Sequence, residues 1–222
     1  MERAGGALVN WLNSDDILLP EALFCLSSVY NSSGYKNAVY CGNSKRIDEK
    51  GHLISVSQVH FVAQENRGLP QAPPLSGGIQ ASRFLTREAW NKVGGLQLDL
   101  NYTMDSDIVY RCYAMGAKFI IVDHFLAAYR EHEMTKTQIG WRESINYKHN
   151  FYWNKLSELS KEEQKVYKPR VRRSMYGFYL RSISSNDSVS ERLQKIFLAI
   201  REYPNCLFQP KRIVRLLFKI IR

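Results

Sequence analysis

The sequence has no run of eighteen apolar residues, so it contains no candidate for a membrane-spanning helix. Its first residues, Met-Glu-Arg-Ala-Gly-Gly, also lack the features of a signal peptide. Cysteine is scarce, with four residues at positions 25, 41, 112 and 206, and no pair has C-x-x-C or zinc-finger spacing. Because core-type residues flank each one, we expect buried free thiols, a reducing compartment and a cytoplasmic protein.

Acidic residues are fewer than basic ones: the chain has 21 Asp and Glu and 31 Lys and Arg, which gives a formal net charge of +10. This excess suits a polyanion, an anionic membrane surface or a phosphorylated substrate, and it does not choose among them. We do not expect nucleic acid as a partner, because no helix-turn-helix, zinc or RNP-like element is present. With 45% hydrophobic residues the chain is predicted to be globular, and its 222 residues allow either one sizeable core or one domain with a helical appendage.

Two adjacent carboxylates, Asp15 and Asp16, follow an apolar strand and precede a predicted helix. Ligands collect at the carboxyl ends of strands in open α/β sheets. A hard divalent cation suits such a pair, and one or two protein carboxylates leave coordination sites for substrate phosphates. The alternative is that residues 13–16 are a cluster of helix-capping residues, since Asn, Ser and Asp all favour caps and turns.

A second acidic segment begins a predicted helix that runs to Met115. Asp105 lies at or just before its first residue, where it is either an N-cap or a general base whose pKa needs burial or a neighbouring carboxylate to raise it. Asp107 and Arg111 are four residues apart and are predicted to pair on the helix surface. Two further strands, 118–122 and 126–129, follow.

His132 comes just after the second of these strands, as Asp15 comes after the first strand of the chain. A single histidine is more often a hydrogen-bonded structural residue than a metal ligand. Its position at a strand end favours a role beside the acidic pair. Between the two acidic segments, residues 64–78 are predicted to form a loop, and Thr86 is predicted to cap a helix that Gly94 ends.

Four motifs, in this order, resemble the inverting family 2 glycosyltransferases. They are G-x-x-V-x-W-L-N-S-D-D-x-L-x-P-x-A-L at 6–23, G-G-I-Q-A-S-R-F-L-T-R-E-A-W-x-K-V-G-G-L at 77–96, M-D-S-D-I-V-Y-R at 104–111 and A-x-Y-R-x-H-x-x-x-K-T at 127–137. No single motif is very specific for this family, whereas the occurrence of all four in this order and at this spacing is specific. The resemblance spans residues 5 to 137.

The resemblance implies an α/β protein with a partial A-type nucleotide-sugar transferase fold, a mixed and mainly parallel sheet flanked by helices. It implies Asp105 as the catalytic base and Mn²⁺ or Mg²⁺ as the cofactor. The implied metal ligands are Asp15, Asp16 and His132. The implied cofactor-binding and donor-binding residues are Asn13, Asp15, Gln80, Arg83 and Asp107. Asn13 departs from the family, in which an Asp is usual at that position.

The implied function is transfer of a sugar, with inversion, from a nucleotide-diphosphate donor to a saccharide or lipid-linked acceptor, in cell-surface polysaccharide synthesis. A UDP-sugar is the expected donor. Family members begin with a nucleotide-binding part that this sequence lacks, so we expect a truncated catalytic domain at 1–137 or a partner chain that supplies the missing half. The alternative is a non-catalytic fragment or partner subunit that retains only the acceptor-side scaffold.

Residues 138–222 are predicted to be a helical extension. After Pro210, cationic residues recur every three or four positions among apolar ones, at Arg212, Arg215, Lys219 and Arg222. This pattern is typical of an amphipathic helix on the inner face of a membrane, which would bring the enzyme to a lipid-linked acceptor. The alternative is that the apolar face packs on the preceding helices.

Overall fold

The computed structural model describes residues 4–59, 79–132, 140–184, 186–209, 212, 213 and 219. The chain divides into two compact units, Met1–His132 and Glu133–Arg222. Among the described residues, the first contains a mixed sheet with three α-helices and the second contains three long α-helices, so the predicted α/β class is confirmed. The predicted loop at 64–78, the predicted boundary at 137 and most of the predicted terminal helix lie outside the described residues.

The sheet of the first unit has six described strands in the order β1-β5-β3-β6-β2, and β4 pairs with β3. Their bounds are β1 Leu8–Val9, β2 Ile17–Leu18, β3 Ala38–Ile47, β4 Leu53–Ser57, β5 Arg83–Thr86 and β6 Lys118–Arg130. Strands β3 and β4 form a β-hairpin, whose turn is closed by a hydrogen bond from the Gly51 amide to the Asp48 carbonyl.

The prediction of a mainly parallel sheet is wrong for the described strands. Only β3 and β6 pair in parallel, whereas the other four pairings are antiparallel. A buried strand reads as a similar apolar run in either orientation, so its sequence pattern does not fix the direction in which it pairs. The direction here depends on contacts distant in sequence, such as Leu8 with Thr86.

The two strands predicted at 118–122 and 126–129 are one strand, β6. Its pairing with β3 shifts register around Asn43, where Gly42 lies opposite Val122 and Asn43 lies opposite Phe125. The buried Asn43 side chain donates to Asp123 over 3.2 Å and accepts from the Val59 amide over 2.9 Å. The polar residues that suggested a break therefore form a β-bulge, which lets one strand continue to Arg130.

Helices cover both faces of the sheet. Along β3 the side chains alternate, so that Val39 and Cys41 pack with α2 and α3, whereas Ala38 and Tyr40 pack with α1. In the described part of the chain, the helices of this unit are α1 Ala22–Ser33, α2 Arg87–Val93 and α3 Met104–Ala114. Burial raises the pKa of the Cys41 thiol to about 12, which makes that thiol unreactive.

Short-range signals place several helix ends correctly. The Thr86 side chain accepts a hydrogen bond from the Ala89 amide at the start of α2, and Gly94, with φ of 72°, ends that helix. Ser160 and Glu163 form a capping box at the start of the helix Lys161–Arg181. The second unit contains α4 Trp141–Ser157, α5 Lys161–Arg181 and α6 Val189–Glu202. Among the described residues, no helix combines the length and apolar character needed to cross a bilayer.

The β-bulge leaves no room for a side chain at Gly42, where an added Cβ would lie 2.3 Å from the Leu126 Cγ atom. Because Leu126 is fully buried, we expect Gly42→Ala to lower the free energy of unfolding by about 1–3 kcal/mol through overpacking. Urea denaturation followed by circular dichroism measures this change. Gly5→Ala is the control, since nothing lies within 4 Å of a Cβ there. Equal stability of the two variants would contradict the packing described for the bulge.

Candidate functional site

The acidic turn, residues 13–16, lies between the short strands β1 and β2. The Asp16 amide donates to the Asn13 carbonyl over 3.2 Å, which closes a four-residue turn. Trp11, just before the turn, packs against Trp90 of α2 with ring centroids 6.1 Å apart. The residues predicted as a capping cluster or a metal site thus form a turn fixed at both ends by strands.

Asp16 anchors the acidic turn. Its Oδ1 accepts from the backbone amide of Arg130 over 3.1 Å, and its Oδ2 accepts from the Asn13 side chain over 3.0 Å. The residue is only 7% exposed. Burial is the largest cause that raises the pKa of this carboxyl above its usual value, and the neighbouring Asp15 carboxylate raises it further.

Asp15 is more accessible, and its carboxylate contacts one of the other predicted ligands. Its Oδ2 lies 3.2 Å from Nε2 of His132, and the two side chains are 38% and 26% exposed. His132 lies two residues beyond the end of β6, which pairs with β2 beside the turn. The structure therefore brings together two of the three predicted metal ligands.

Within the described ranges, no group of three or more His, Cys, Asp or Glu side chains is arranged to hold a metal ion. Of the predicted trio, Asp16 is engaged with Asn13 and Arg130, which leaves Asp15 and His132 as the available pair. Two neighbouring ligands of an octahedral ion at about 2.1 Å lie about 3 Å apart. The 3.2 Å separation of Asp15 Oδ2 and His132 Nε2 fits that requirement.

Arg130 was not among the predicted site residues, although it joins three segments at this end of β6. Its Nε donates to the Asp15 carbonyl over 3.2 Å. Its Nη1 donates to the carbonyls of Asp48 and Glu49 in the β3–β4 hairpin, over 3.0 and 2.9 Å. The one signal in the sequence that could have indicated a role for Arg130 was its place two residues before His132. Its hydrogen-bond partners are distant in sequence and were not predictable.

The segment that follows the undescribed residues 60–78 reaches the acidic turn through Gln80. The Gln80 side chain donates to the Trp11 carbonyl and accepts from the Asn13 side chain over 3.2 Å. Asn10, which was also not among the predicted site residues, donates from its side chain to the Ala81 carbonyl over 3.0 Å. These bonds hold a short 3₁₀ helix, Gln80–Ser82, against the turn.

Arg83 connects the same segment to the second acidic site. Its Nη2 donates to the Asp105 carboxylate over 3.1 Å, and its Nη1 donates to the Asp105 backbone carbonyl over 2.9 Å. The Arg83 side chain is 7% exposed, whereas that of Asp105 is 35% exposed. Asp105 is the second residue of α3, so it is not the N-cap that was the alternative.

Asp107 has a different environment from the other predicted residues. It is buried, and its carboxylate accepts from Arg111 Nε over 2.7 Å. Arg111 also donates to the carbonyls of Val93 and Gly95 at the end of α2. The predicted ion pair is confirmed, but its predicted surface position is wrong, because the pair ties α3 to α2 within the fold.

The pKa of Asp16 provides a test of this geometry. We expect its carboxyl to titrate above 3.8 in the folded protein, and Asp15→Asn to lower that midpoint by removing a neighbouring negative charge. Carbon-detected NMR of labelled aspartate measures both midpoints. Because the raised pKa favours the protonated folded state, the contribution of Asp16 to stability is present at low pH and is lost as the pH rises through that pKa.

A midpoint below 3.8, or one that Asp15→Asn leaves unchanged, would contradict the burial and the proximity described for this pair.

No protein-family model matches this chain, and no curated protein matches it significantly in sequence. The residues that suggest a function are therefore those of the four motifs and of the contacts described above.

Proposed function

We propose that this chain is the catalytic part of an inverting, metal-dependent glycosyltransferase with an A-type nucleotide-sugar fold. One observation carries the proposal: residues 80–83 bind the acidic turn through Gln80 and bind Asp105 through Arg83. The same segment thus links two accessible carboxylates, those of Asp15 and Asp105. The donor would be a nucleotide sugar, with UDP as the expected nucleotide, and the acceptor a saccharide or lipid-linked saccharide.

The acidic turn is suited to a diphosphate that is held through a divalent cation. Asp15 and His132 would hold Mn²⁺ or Mg²⁺, and their separation fits neighbouring positions on such an ion. When bound, the ion would supply Lewis-acid stabilisation of the charge that develops on the leaving nucleoside diphosphate. Asp16 would keep the turn in place through Arg130, without contributing a ligand.

Asp105 is suited to act as the general base. A sugar hydroxyl is a weak nucleophile near neutral pH, so a carboxylate within hydrogen-bond reach must accept its proton as the new bond forms. The partly exposed Asp105 is open to an acceptor, and the two hydrogen bonds from Arg83 orient its carboxylate. Attack from the side opposite the leaving group would invert the anomeric centre, and no covalent intermediate is required.

Donor binding provides the first test. We expect isothermal titration calorimetry to detect binding of UDP in the presence of Mn²⁺, and Asp15→Ala to abolish it, because the turn then loses its accessible carboxylate. GDP and TDP, titrated in the same way, identify the preferred base. Asp99→Ala is the matched control, since Asp99 is an exposed aspartate outside the proposed site, and it should leave the affinity unchanged.

If no nucleoside diphosphate binds in the presence of metal, the transferase proposal is wrong and the non-catalytic alternative is favoured. Equal loss of binding in Asp15→Ala and Asp99→Ala would also contradict it.

The role of Asp105 provides a separate test. We expect Asp105→Asn to keep donor affinity, because the acidic turn is unchanged, and to reduce release of nucleoside diphosphate from the donor sugar by about 10²–10⁴-fold through loss of the base. A coupled assay for the released nucleoside diphosphate measures the rate, with water as acceptor where no saccharide is supplied. Wild-type turnover in Asp105→Asn would assign the base to another residue.

A further inference from the structure

Helix α6, Val189–Glu202, exposes its apolar residues. Val189, Leu193 and Phe197 recur at four-residue intervals and therefore form a stripe along one side of the helix. Their exposed fractions are 59%, 47% and 66%. The segment that follows, Pro204–Phe208, exposes Leu207 and, to 84%, Phe208. We call these five side chains the α6 apolar face.

The opposite side of α6 points inward and mixes polar and apolar residues, since Ile196 and Ala199 are buried beside the polar ones. Lys195 is 1% exposed, and its Nζ donates to the Ser182 carbonyl and to the Asp187 carboxylate, each over 2.6 Å. The buried Arg192 donates from Nε to the Asp187 carbonyl over 3.0 Å. A buried charge is costly unless it is paired. Paired charges and buried apolar residues thus pack inward together, whereas the stripe of Val189, Leu193 and Phe197 is left outward.

The charge of the chain is concentrated in the unit that contains α6. Residues 133–222 include 19 Lys and Arg and eight Asp and Glu, a formal net charge of +11, whereas residues 1–132 include 12 and 13, a net charge of −1. The exposed positions of α6 include Arg201 and no acidic residue. Arg142 of α4 adds a cation beside the face, since it donates to Gln194 over 3.2 Å.

These features select one kind of partner. A second copy of the chain would bring two units of like charge together, which costs energy of repulsion. A surface that offers both an apolar layer and negative charge is complementary to the apolar face and to the cations beside it. We propose that the α6 apolar face docks on a membrane surface that contains anionic lipids, with Phe197 and Phe208 at the level of the acyl chains.

This proposal concerns a different element from the terminal stretch after Pro210, and it does not depend on the transferase activity. Burial of one large apolar side chain in the bilayer interface changes affinity by about tenfold or more. Attraction between basic residues and an anionic surface adds an electrostatic contribution to the affinity, and salt weakens this contribution. The binding should therefore require both the apolar residues and anionic lipid.

Cosedimentation of the full chain with vesicles tests the proposal. We expect the protein to pellet with phosphatidylcholine vesicles that contain phosphatidylglycerol, and to remain in the supernatant with phosphatidylcholine alone. Phe197→Asp should weaken the binding by about tenfold or more, and Leu193→Asp should do the same as a second, independent variant. Phe24→Asp is the matched control, because Phe24 is 75% exposed on α1 in the other unit, and it should bind as the wild type does.

Three results would overturn the proposal. The first is that the wild type stays in the supernatant with anionic vesicles. The second is that Phe197→Asp and Leu193→Asp bind as tightly as Phe24→Asp, which would leave charge alone as the cause of binding. The third is that light scattering without vesicles shows a dimer that Phe197→Asp dissociates, which would assign the face to self-association.

Discussion

The hydrogen bonds made by Arg130 at the end of β6 hold the candidate site together. Through its backbone amide it fixes Asp16, and through its guanidinium it holds the Asp15 carbonyl and the carbonyls of the β3–β4 hairpin. Because β6 continues beyond the bulge, the same strand end also delivers His132 to Asp15. The site thus depends on one long strand that reaches a short turn more than a hundred residues earlier in the chain.

The four aspartates of the motifs divide into two kinds. Asp16 and Asp107 are buried and bonded to Arg130 and Arg111, so they stabilise the turn and the packing of α3. Asp15 and Asp105 are partly exposed, which leaves their carboxylates accessible to a ligand. Each of the two acidic segments therefore supplies one buried, structural carboxylate and one accessible carboxylate. The proposed chemistry assigns a role to the accessible member of each pair.

Local signals in the sequence predicted what depends on neighbouring residues. The Thr86 cap and the glycine that ends α2 follow from short-range hydrogen bonding and from φ values that glycine adopts easily. The strand directions and the burial of Asp107 were mispredicted, since they depend on pairings between distant segments. Helix α6 shows this limit most clearly. Its apolar residues recur at helical spacing, but the sequence does not show that Val189, Leu193 and Phe197 face outward.

The most direct measurement of the central claim is the position of manganese in crystals grown with Mn²⁺ and UDP, located by anomalous scattering. The account predicts one ion within about 2.3 Å of a carboxylate oxygen of Asp15 and of Nε2 of His132, bridged to the diphosphate, with Asp16 still bonded to Arg130. An ion bound elsewhere, or a nucleotide bound at a site that does not include the acidic turn, would contradict it.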